Sequence, residues 1–410
     1  MSMTQTQVQN VPELRFPEFS GEWLQDSLGG FFTFKNGVNA DKSAYGKGHK
    51  FINVLDIISD HPITSENIIG SVTITDKEFE KNKVVYGDIL FQRSSETREE
   101  VGQSNVYLDR DNPATFGGFV IRGHPRKDFN SEYFHSLLKT MKVRKDMTSR
   151  SGGSTRYNVG QESLSQTSVN LAPTLPEQQK IASFLSSVDL KIAQIGKKKA
   201  LLEQYKKGMM QKLFSQELRF KDAQGNDFPD WEEKRLGEVT TSFSGGTPSS
   251  SNRAYYSGDI PFIGSGNIGA NSVNQFITKD ALSNSSAKMV KKGDMLYALY
   301  GATSGEVAIS KINGAINQAI LCVRSNEVLE YLFHYLLFKK GRILATFLQG
   351  GQGNLSAQII KALKVDLPSK PEQQKNADFL SSIDRKIDLV STELTRAQTF
   401  KKGLLQQMFI

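Results

Sequence analysis

The chain has one cysteine, Cys322, in 410 residues, which excludes an intrachain disulfide and any metal site built from cysteine pairs. The five histidines never fall at a paired spacing such as His-x-x-x-His, so no metal site is expected. Long apolar runs are missing as well: nothing approaches the roughly 18 consecutive apolar residues a membrane span needs. The opening stretch from Met1 to Pro12 is polar and carries no signal-peptide core, and the expectation is a cytoplasmic protein without membrane contact.

What is present describes an ordinary folded protein. Apolar residues make up 38% and charged residues 23% of the chain, with a mean hydropathy of -0.40. The length exceeds what one hydrophobic core supports, and two domains with connecting elements are expected. Lys and Arg outnumber Asp and Glu by 51 to 43, a net charge of +8, which favours a polyanionic partner without naming it.

The chain is written twice. Pro176-Glu177-Gln178-Gln179-Lys180 returns as Pro371-Glu372-Gln373-Gln374-Lys375, a shift of 371 - 176 = 195. At that shift Phe184-Leu185-Ser186-Ser187 pairs with Phe379-Leu380-Ser381-Ser382, Asp189 with Asp384, Lys191-Ile192 with Lys386-Ile387, and Lys206-Lys207-Gly208 with Lys401-Lys402-Gly403. About 18 of 40 positions are identical without a gap, far above chance. A second block opens each half. Glu13-Leu14-Arg15-Phe16 returns as Glu217-Leu218-Arg219-Phe220, Trp23 and Leu28-Gly29 return as Trp231 and Leu236-Gly237, and Gly87-Asp88 before an apolar run returns as Gly293-Asp294. The order is globular domain, helix, globular domain, helix.

Each globular half is rich in Gly, Asn and Ser, with strand signals at Lys83–Phe91 and Ala315–Arg324 and short amphipathic helices expected at Ser131–Lys145 and Val328–Thr346. The repeated Gly-Asp reads as a turn into a buried strand. Trp23 and Trp231 read as core anchors. Each long helix announces its start: Thr174-Leu175-Pro176-Glu177 and Ser369-Lys370-Pro371-Glu372 have capping-box spacing with proline in the first turn.

Along the first helix Ile181, Leu185, Val188, Ile192, Ile195, Leu202, Met209 and Leu213 fall on alternating steps of four and three, interrupted by Lys199 and Lys206. The second copy keeps the seam with Leu380, Ile383, Ile387, Val390, Leu394, Ala397, Leu404 and Met408, departing at Asn376 and Lys401. About 40 residues make a rod of roughly 60 Å. Antiparallel pairing of the two would return the C-terminus to the first domain and give the molecule a pseudo-twofold axis. The fold class expected is therefore α+β: two mixed α/β domains separated by two long helices that form an antiparallel coiled coil. Heptads alone equally describe an ordinary dimerisation coiled coil.

Two domains alternating with two such helices, each opening Pro-Glu-Gln-Gln-Lys and continuing Phe-Leu-Ser-Ser-x-Asp-x-Lys-Ile, resemble the specificity subunits of type I restriction-modification enzymes over all but about the first twelve residues. The resemblance implies two target-recognition domains, each reading one half of a gapped, bipartite site in double-stranded DNA. It implies that the helices set the spacer and hold two modification (methyltransferase) subunits, with restriction (translocase and nuclease) subunits joining through the complex. The chain itself would be non-catalytic and bind no cofactor, S-adenosylmethionine, ATP and Mg belonging to the partner subunits. The boundaries expected are a leader at 1–12, recognition domains at 13–173 and 216–367, a central helix at 174–215 and a C-terminal helix at 368–410.

DNA contacts call for Arg, Lys, Asn and Gln held at groove edges and for positive charge along the backbone path. Residues 122–156 hold nine basic and three acidic residues and lead into the loop Ser149-Arg150-Ser151-Gly152-Gly153-Ser154-Thr155-Arg156-Tyr157. In the second half Lys339, Lys340 and Arg342 precede Gln349-Gly350-Gly351-Gln352-Gly353-Asn354. The candidates are Arg150, Arg156, Tyr157, Lys339, Lys340, Arg342, Gln349, Gln352 and Asn354, followed by Arg93 and Arg98. A solvated surface loop whose glycines only make turns is the bland alternative.

Several catalytic look-alikes fail. Gly264-Ser265-Gly266-Asn267-Ile268-Gly269 fits the dinucleotide fingerprint, but no helical periodicity follows to offer a helix N-terminus to a pyrophosphate. Asp111-Asn112-Pro113-Ala114 lacks the second proline and the aromatic of an amino-methyltransferase motif, and Asp230, Glu232 and Lys234 sit too close together for a nuclease centre. No Gly-x-x-x-x-Gly-Lys-Ser/Thr loop is present. Read from residues alone, a stand-alone methyltransferase or nuclease with unfamiliar motifs, and a coiled-coil scaffold indifferent to DNA, stay open.

Overall fold

The structure, a computed structural model, describes residues 10–59, 61–347 and 354–410. It divides into two compact units, one holding residues up to Gly196 together with Glu393–Ile410, the other holding Lys197–Thr392. Both are mixed α/β and follow one plan.

In the first unit Gly87 takes a left-handed φ of 91°, and the Asp88 carboxylate accepts the Val85 N–H at 2.9 Å, closing a turn into the strand Ile89–Gln92. Every residue of that strand is buried, and its period of two divides them between two cores. Ile89 and Phe91 join Trp23, Phe32 and Tyr133, whereas Leu90 joins Ile52, Tyr107 and Phe116 on the other face. The strand sits inside an antiparallel sheet ordered Phe32–Asn36, Val120–Pro125, Ile89–Gln92, Ser104–Val106. A second sheet pairs Tyr45–Ile52 with Ser71–Val72 and, in parallel, with Thr115–Phe116, Phe51 lying opposite Thr115.

The second unit repeats each step. Gly293 has φ 98°, Asp294 accepts from the Lys291 N–H at 2.8 Å, and Met295–Ala298 is buried throughout. Met295 and Tyr297 pack with Leu321, Tyr331 and Leu380, while Leu296 and Ala298 pack with Ile263, Val290 and Ile316. Its antiparallel sheet runs Thr240–Ser244, Ile320–Ser325, Met295–Ala298, Val307–Ile309. The other sheet again holds a parallel pair, Phe262 opposite Ala315.

Local differences from the sequence expectations have local causes. Lys83–Phe91 is strand only from Ile89, because the Gly-Asp turn occupies its middle. Ala315–Arg324 is two strands, Gly314–Ile316 and Ile320–Ser325, separated by a turn in which Ile320 N–H donates to Asn317 O. The helix expected at Ser131–Lys145 is two helices, Ser131–Leu137 and Met141–Ser149, since Thr140 is extended at φ -67° and ψ 148° and its hydroxyl donates back to Leu137 O at 2.7 Å. Its counterpart is one helix, Leu329–Phe347.

The long helices span Leu175–Phe214 and Lys370–Gln407. Thr174 caps the first, accepting the Glu177 N–H at 3.4 Å, but neither glutamate closes a reciprocal box. Glu177 is 1% exposed and takes a bidentate ion pair from Arg15, Nε to Oε1 at 2.7 Å and Nη2 to Oε2 at 2.9 Å, with Trp23 Nε1 donating at 3.2 Å. Glu372 receives Arg219 at 3.0 and 2.8 Å and Trp231 Nε1 at 3.2 Å. The next residue is equally constrained: Gln178 Oε1 accepts Asn130 N–H at 3.0 Å, and Gln373 Oε1 accepts Val328 N–H at 3.1 Å. The repeated Pro-Glu-Gln thus begins each helix and ties it to the domain beside it. Trp23 is buried and Trp231 half-buried, both as anchors of these ties.

Each unit contains segments of both helices. In the first, Ile181 and Leu185 share a core with Leu404, Met408 and Phe409, and Lys401 Nζ lies 2.5 Å from Asp189. In the second, Met210, Leu213 and Phe214 share a core with Ala377, Leu380 and Ile383, and Lys206 Nζ lies 2.6 Å from Asp384. Of the seam residues, Ile181, Leu185, Ile195, Leu380, Ile383 and Val390 are buried, and Val188, Ile192, Leu202, Ile387 and Leu394 half-buried. Of the three lysines that interrupt the heptads, Lys206 and Lys401 are turned inward onto aspartates, and the pairs are repeats of one another, since 401 - 206 and 384 - 189 both equal 195, whereas Lys199 pairs with Glu203 of its own helix at 3.4 Å. Asn376, the other departure, is buried with neither amide atom hydrogen-bonded.

Candidate nucleic-acid interface

The buried strand of each unit delivers the loop that follows it to a fixed place. In the first unit Ser94–Ser95 pairs antiparallel with Tyr157–Asn158, so two segments far apart in sequence, each holding candidate contacts, lie side by side. Arg93 is pinned through its backbone, its N–H donating to Phe119 O at 2.9 Å and its carbonyl accepting Val159 N–H at 3.0 Å, while its side chain is exposed. Gly152 and Asn158 exchange backbone hydrogen bonds of 3.0 and 2.8 Å. Gly153, at φ 116°, has no room for a side chain, because a Cβ would lie 2.0 Å from Arg156 O. The glycine-rich loop is therefore a built hairpin, with Arg156 exposed beside Tyr157, whose ring is half-buried against the core.

The remaining candidates here have partners within the fold. Arg98 is exposed but directs Nε and Nη2 to Thr148 O and Ser149 O, at 3.3 and 3.4 Å, satisfying carbonyls at the end of the helix Met141–Ser149. Arg150 pairs with Asp146 at 3.2 Å and reaches Gln166 at 3.4 Å. Two other basic residues of the 122–156 stretch are structural: Arg122 donates to Lys83 O beside Asp88, and Arg144 holds Glu99 O and Val101 O at 2.8 and 2.7 Å, with burial pulling its guanidinium down to about 10. Arg93, Arg98 and Arg156 are the arginine candidates of this unit left without a carboxylate among the described residues, Arg98 being held by the Thr148 and Ser149 carbonyls and Arg93 reaching Gly118 O at 3.4 Å.

In the second unit the loop after Met295–Ala298 lies against the end of the helix Leu329–Phe347. Lys340 Nζ is 2.5 Å from Glu306, Gly305 at φ 82° leaves a Cβ only 2.7 Å from Leu344, and Leu355 N–H donates to Leu299 O at 2.9 Å. Lys339 lies over the Tyr335 and Phe338 rings at 5.1 and 5.6 Å and 3.9 Å from Asp366. Arg342 and Asn354 are exposed. Gln349 and Gln352 lie outside the described residues. A groove of about 360 Å³ beside this helix sets Lys339, Arg342 and Lys364 against Glu233 and Asp366, a mixed set of charges with one cation in excess that does not by itself select an anion.

The sequence reading missed a second repeated surface. A short 3₁₀ turn, Lys42–Ala44 in the first unit and Arg253–Tyr256 in the second, precedes the strand that makes the parallel pair. Lys42, Lys47 and Arg253 are exposed there. The faint signal is a basic residue followed by Ala-Tyr in both halves, Lys42-x-Ala44-Tyr45 and Arg253-Ala254-Tyr255. The dinucleotide look-alike at Gly264–Gly269 holds only a 3₁₀ turn, Ser265–Asn267, with no α-helix behind it. Among the described residues no cluster of His, Cys, Asp and Glu could hold a metal ion, and no helix is long and apolar enough to cross a membrane.

Residues 21–204 and 229–398 match the family model described as the type I restriction modification DNA specificity domain. The chain belongs to this family. It is 26% identical over 425 aligned positions to the putative type I restriction enzyme MjaX specificity subunit of Methanocaldococcus jannaschii, covering 97% of this chain and 95% of that protein. The type I restriction-modification S subunit of M. genitalium has the same fold, with a TM-score of 0.62 at 16% identity over 98% of this chain and 99% of the other. A chain solved in work on complex assembly and conformational transition of the type I R-M system aligns with a TM-score of 0.57 at 16% identity, over 94% and 97% of the two chains. The two family matches take in the candidate loops of both units and the greater part of both long helices.

Proposed function

We propose that this chain is the DNA-reading subunit of a type I restriction-modification complex, each recognition domain reading one half of a gapped target in double-stranded DNA. The observation that carries the reading is the duplicated loop platform: in each half a strand buried on both faces carries the polar loop that follows it to a basic segment, the hairpin around Arg156 in the first half and the end of the helix bearing Lys339, Lys340 and Arg342 in the second. Two copies of one scaffold bearing unlike loops suit two unlike half-sites. Arg93, Arg156 and Arg342, exposed and free of carboxylates among the described residues, are the primary contacts; Arg98, Arg150, Tyr157, Lys339, Lys340, Gln349, Gln352 and Asn354 are further contacts, with Lys42, Lys47 and Arg253 as additions. Arg and Asn can pair with base edges, and the lysines with phosphates.

The domain limits proposed are a leader at 1–12, recognition domains at 13–173 and 216–367, and helices at 174–215 and 368–410. The helices form an antiparallel coiled coil about a pseudo-twofold axis. The inward lysine and aspartate pairs support this reading, because a polar pair at a seam position favours one register over its neighbours. On this rod sit two modification subunits, through which restriction subunits join; S-adenosylmethionine, ATP and Mg act on those partners, in the cytoplasm, and this chain performs no chemistry.

A methylome of the source cell with and without the gene tests the proposal. Loss of one gapped, two-part motif on deletion is the expected result. Exchanging residues 230–366 for those of a relative should then change one half of that motif and leave the other; an unchanged motif would contradict modular reading.

A further inference from the structure

In the first unit a short turn, Gly117–Val120, leads from the parallel pair into the strand Val120–Pro125, closed by Val120 N–H donating to Gly117 O at 2.9 Å. Its two glycines are set hard against their neighbours: a Cβ at Gly117 would lie 2.8 Å from the Phe51 ring, and one at Gly118 1.9 Å from Asn39 Oδ1. The backbone is held from both sides. Phe119 O accepts Arg93 N–H at 2.9 Å, and Phe116 O accepts Val38 N–H at 2.9 Å from the segment that runs on to Lys42. On this fixed turn Phe119 stands 63% exposed. Exposure alone is ordinary for a lone apolar residue. Its place between exposed Arg93 and the segment of exposed Lys42 is not.

The second unit builds the same turn from Asn317–Ile320. Ala319 O accepts Leu299 N–H at 2.8 Å, as Phe119 O accepts that of Arg93, and Gly245 N–H donates to Asn317 O at 3.2 Å from the segment that runs on to Arg253. The apex differs. Ala319, 7% exposed, stands in place of Phe119, and exposed Gln318 in place of Gly118, its Oε1 accepting the Thr247 hydroxyl at 2.7 Å. One scaffold thus presents an apolar ring in one half and an oriented amide in the other. A DNA groove offers base edges between two phosphate walls, so a reading residue with cations on both sides matches its charge pattern. In the major groove the apolar group on a base edge is the thymine 5-methyl, whereas an amide hydrogen-bonds.

We propose that the matched turns are specificity elements: Phe119 packs on the 5-methyl of a thymine in one half-site, and Gln318 hydrogen-bonds a base edge in the other. This rests on the reading of the chain as a DNA-reading subunit and gives each half-site one contact of stated chemistry. The test uses the full chain assembled with the modification subunits of its own system. Its probes are duplexes carrying the motif found in the methylome, with each thymine of the half-sites replaced singly by deoxyuridine, a change that removes one methyl group and no hydrogen bond. One position should weaken binding about fourfold, the loss of one buried methyl group. It should lie in the half that the exchange of residues 230–366 leaves unchanged.

Phe119→Ala should weaken binding of the unmodified duplex about four- to tenfold and erase the deoxyuridine effect at that position. The salt slope should stay as it is, because no phosphate contact is lost. Gln318→Ala should keep the deoxyuridine effect and relax base preference at one position of the other half-site; unaltered preference there would overturn the assignment of Gln318. Both side chains are exposed, so neither variant should lower the thermal unfolding temperature. A deoxyuridine effect that survives Phe119→Ala, or none at any thymine, would overturn the methyl contact while leaving DNA reading intact. Phe119-dependent brightening of 2-aminopurine placed in that half-site would reveal a ring wedged between base steps and overturn it too. A complex that binds the motif no better than a scrambled duplex would overturn DNA reading itself.

Discussion

Glu177→Ala should cost the first unit about 3–5 kcal/mol, the range for leaving a buried charge without its partner. The structure sets that figure. The substitution removes two charge-assisted hydrogen bonds from Arg15, whose side chain is 10% exposed, and leaves the buried Trp23 indole N–H without an acceptor. Arg15 keeps its bonds to Gly21 O and Ser20 O, which limits the loss. Glu372→Ala should cost less, because Arg219 is 22% exposed and water can solvate part of the orphaned guanidinium. Glu177→Gln, which keeps an acceptor for the indole, should fall between the alanine variant and the parent. Urea unfolding gives the magnitudes, and hydrogen exchange read by mass spectrometry assigns each loss to its unit. A loss below about 1 kcal/mol for Glu177→Ala would show that the pair is screened like a surface bridge and refute the reasoning.

Asn376→Leu should stabilise the second unit by about 1–2 kcal/mol in a thermal melt, since both amide atoms are buried unpaired and the repeat has Ile181 at that position. His334 is buried beside Lys206 and Ser381, 3.9 Å from Asp384, and burial followed by the Lys206 charge pushes its pKa down to about 3. The neutral form is thus the folded form: its stability is complete above about pH 6.5 and declines below it, by about 1.4 kcal/mol at pH 5.5, a slope that His334→Asn should remove from the unfolding profile. Reversing Lys206→Asp alone should cost about 2–4 kcal/mol, and adding Asp384→Lys should recover most of it in a double-mutant cycle; no recovery would mean the pair is incidental. Arg93→Ala and Arg156→Ala should each weaken DNA binding by the assembled complex and, where the contact is to phosphate, lower the salt slope by about one, as titrations at several salt concentrations would show.

The long helices were legible because their signals are local: heptad steps, a proline in the first turn, and a repeat that shows where each begins. The destination of Glu177 was not, because Arg15 lies 162 positions away and the short-range rule assigns the carboxylate to its own helix cap. Lys206 and Lys401 read as interruptions of a seam until Asp384 and Asp189 stood opposite them. The meeting of the segment after Arg93 with the strand at Tyr157–Asn158 rests on a pairing two residues long, too short to leave an alternating pattern in the sequence. Thr140 broke a helix that periodicity alone carried through.

The final turns of the chain complete the first unit: Phe409 packs on Trp23 and Tyr133, at ring distances of 6.0 and 5.4 Å, and Leu404 and Met408 join the same core. During synthesis that core must wait for residues 404–409 to leave the ribosome. At roughly 5–20 residues per second, the interval between residues 196 and 409 is about 10–40 s. The second unit is thus made in full while the first still lacks a piece of its core. A premature stop before residue 404 would damage the core around Trp23 most directly.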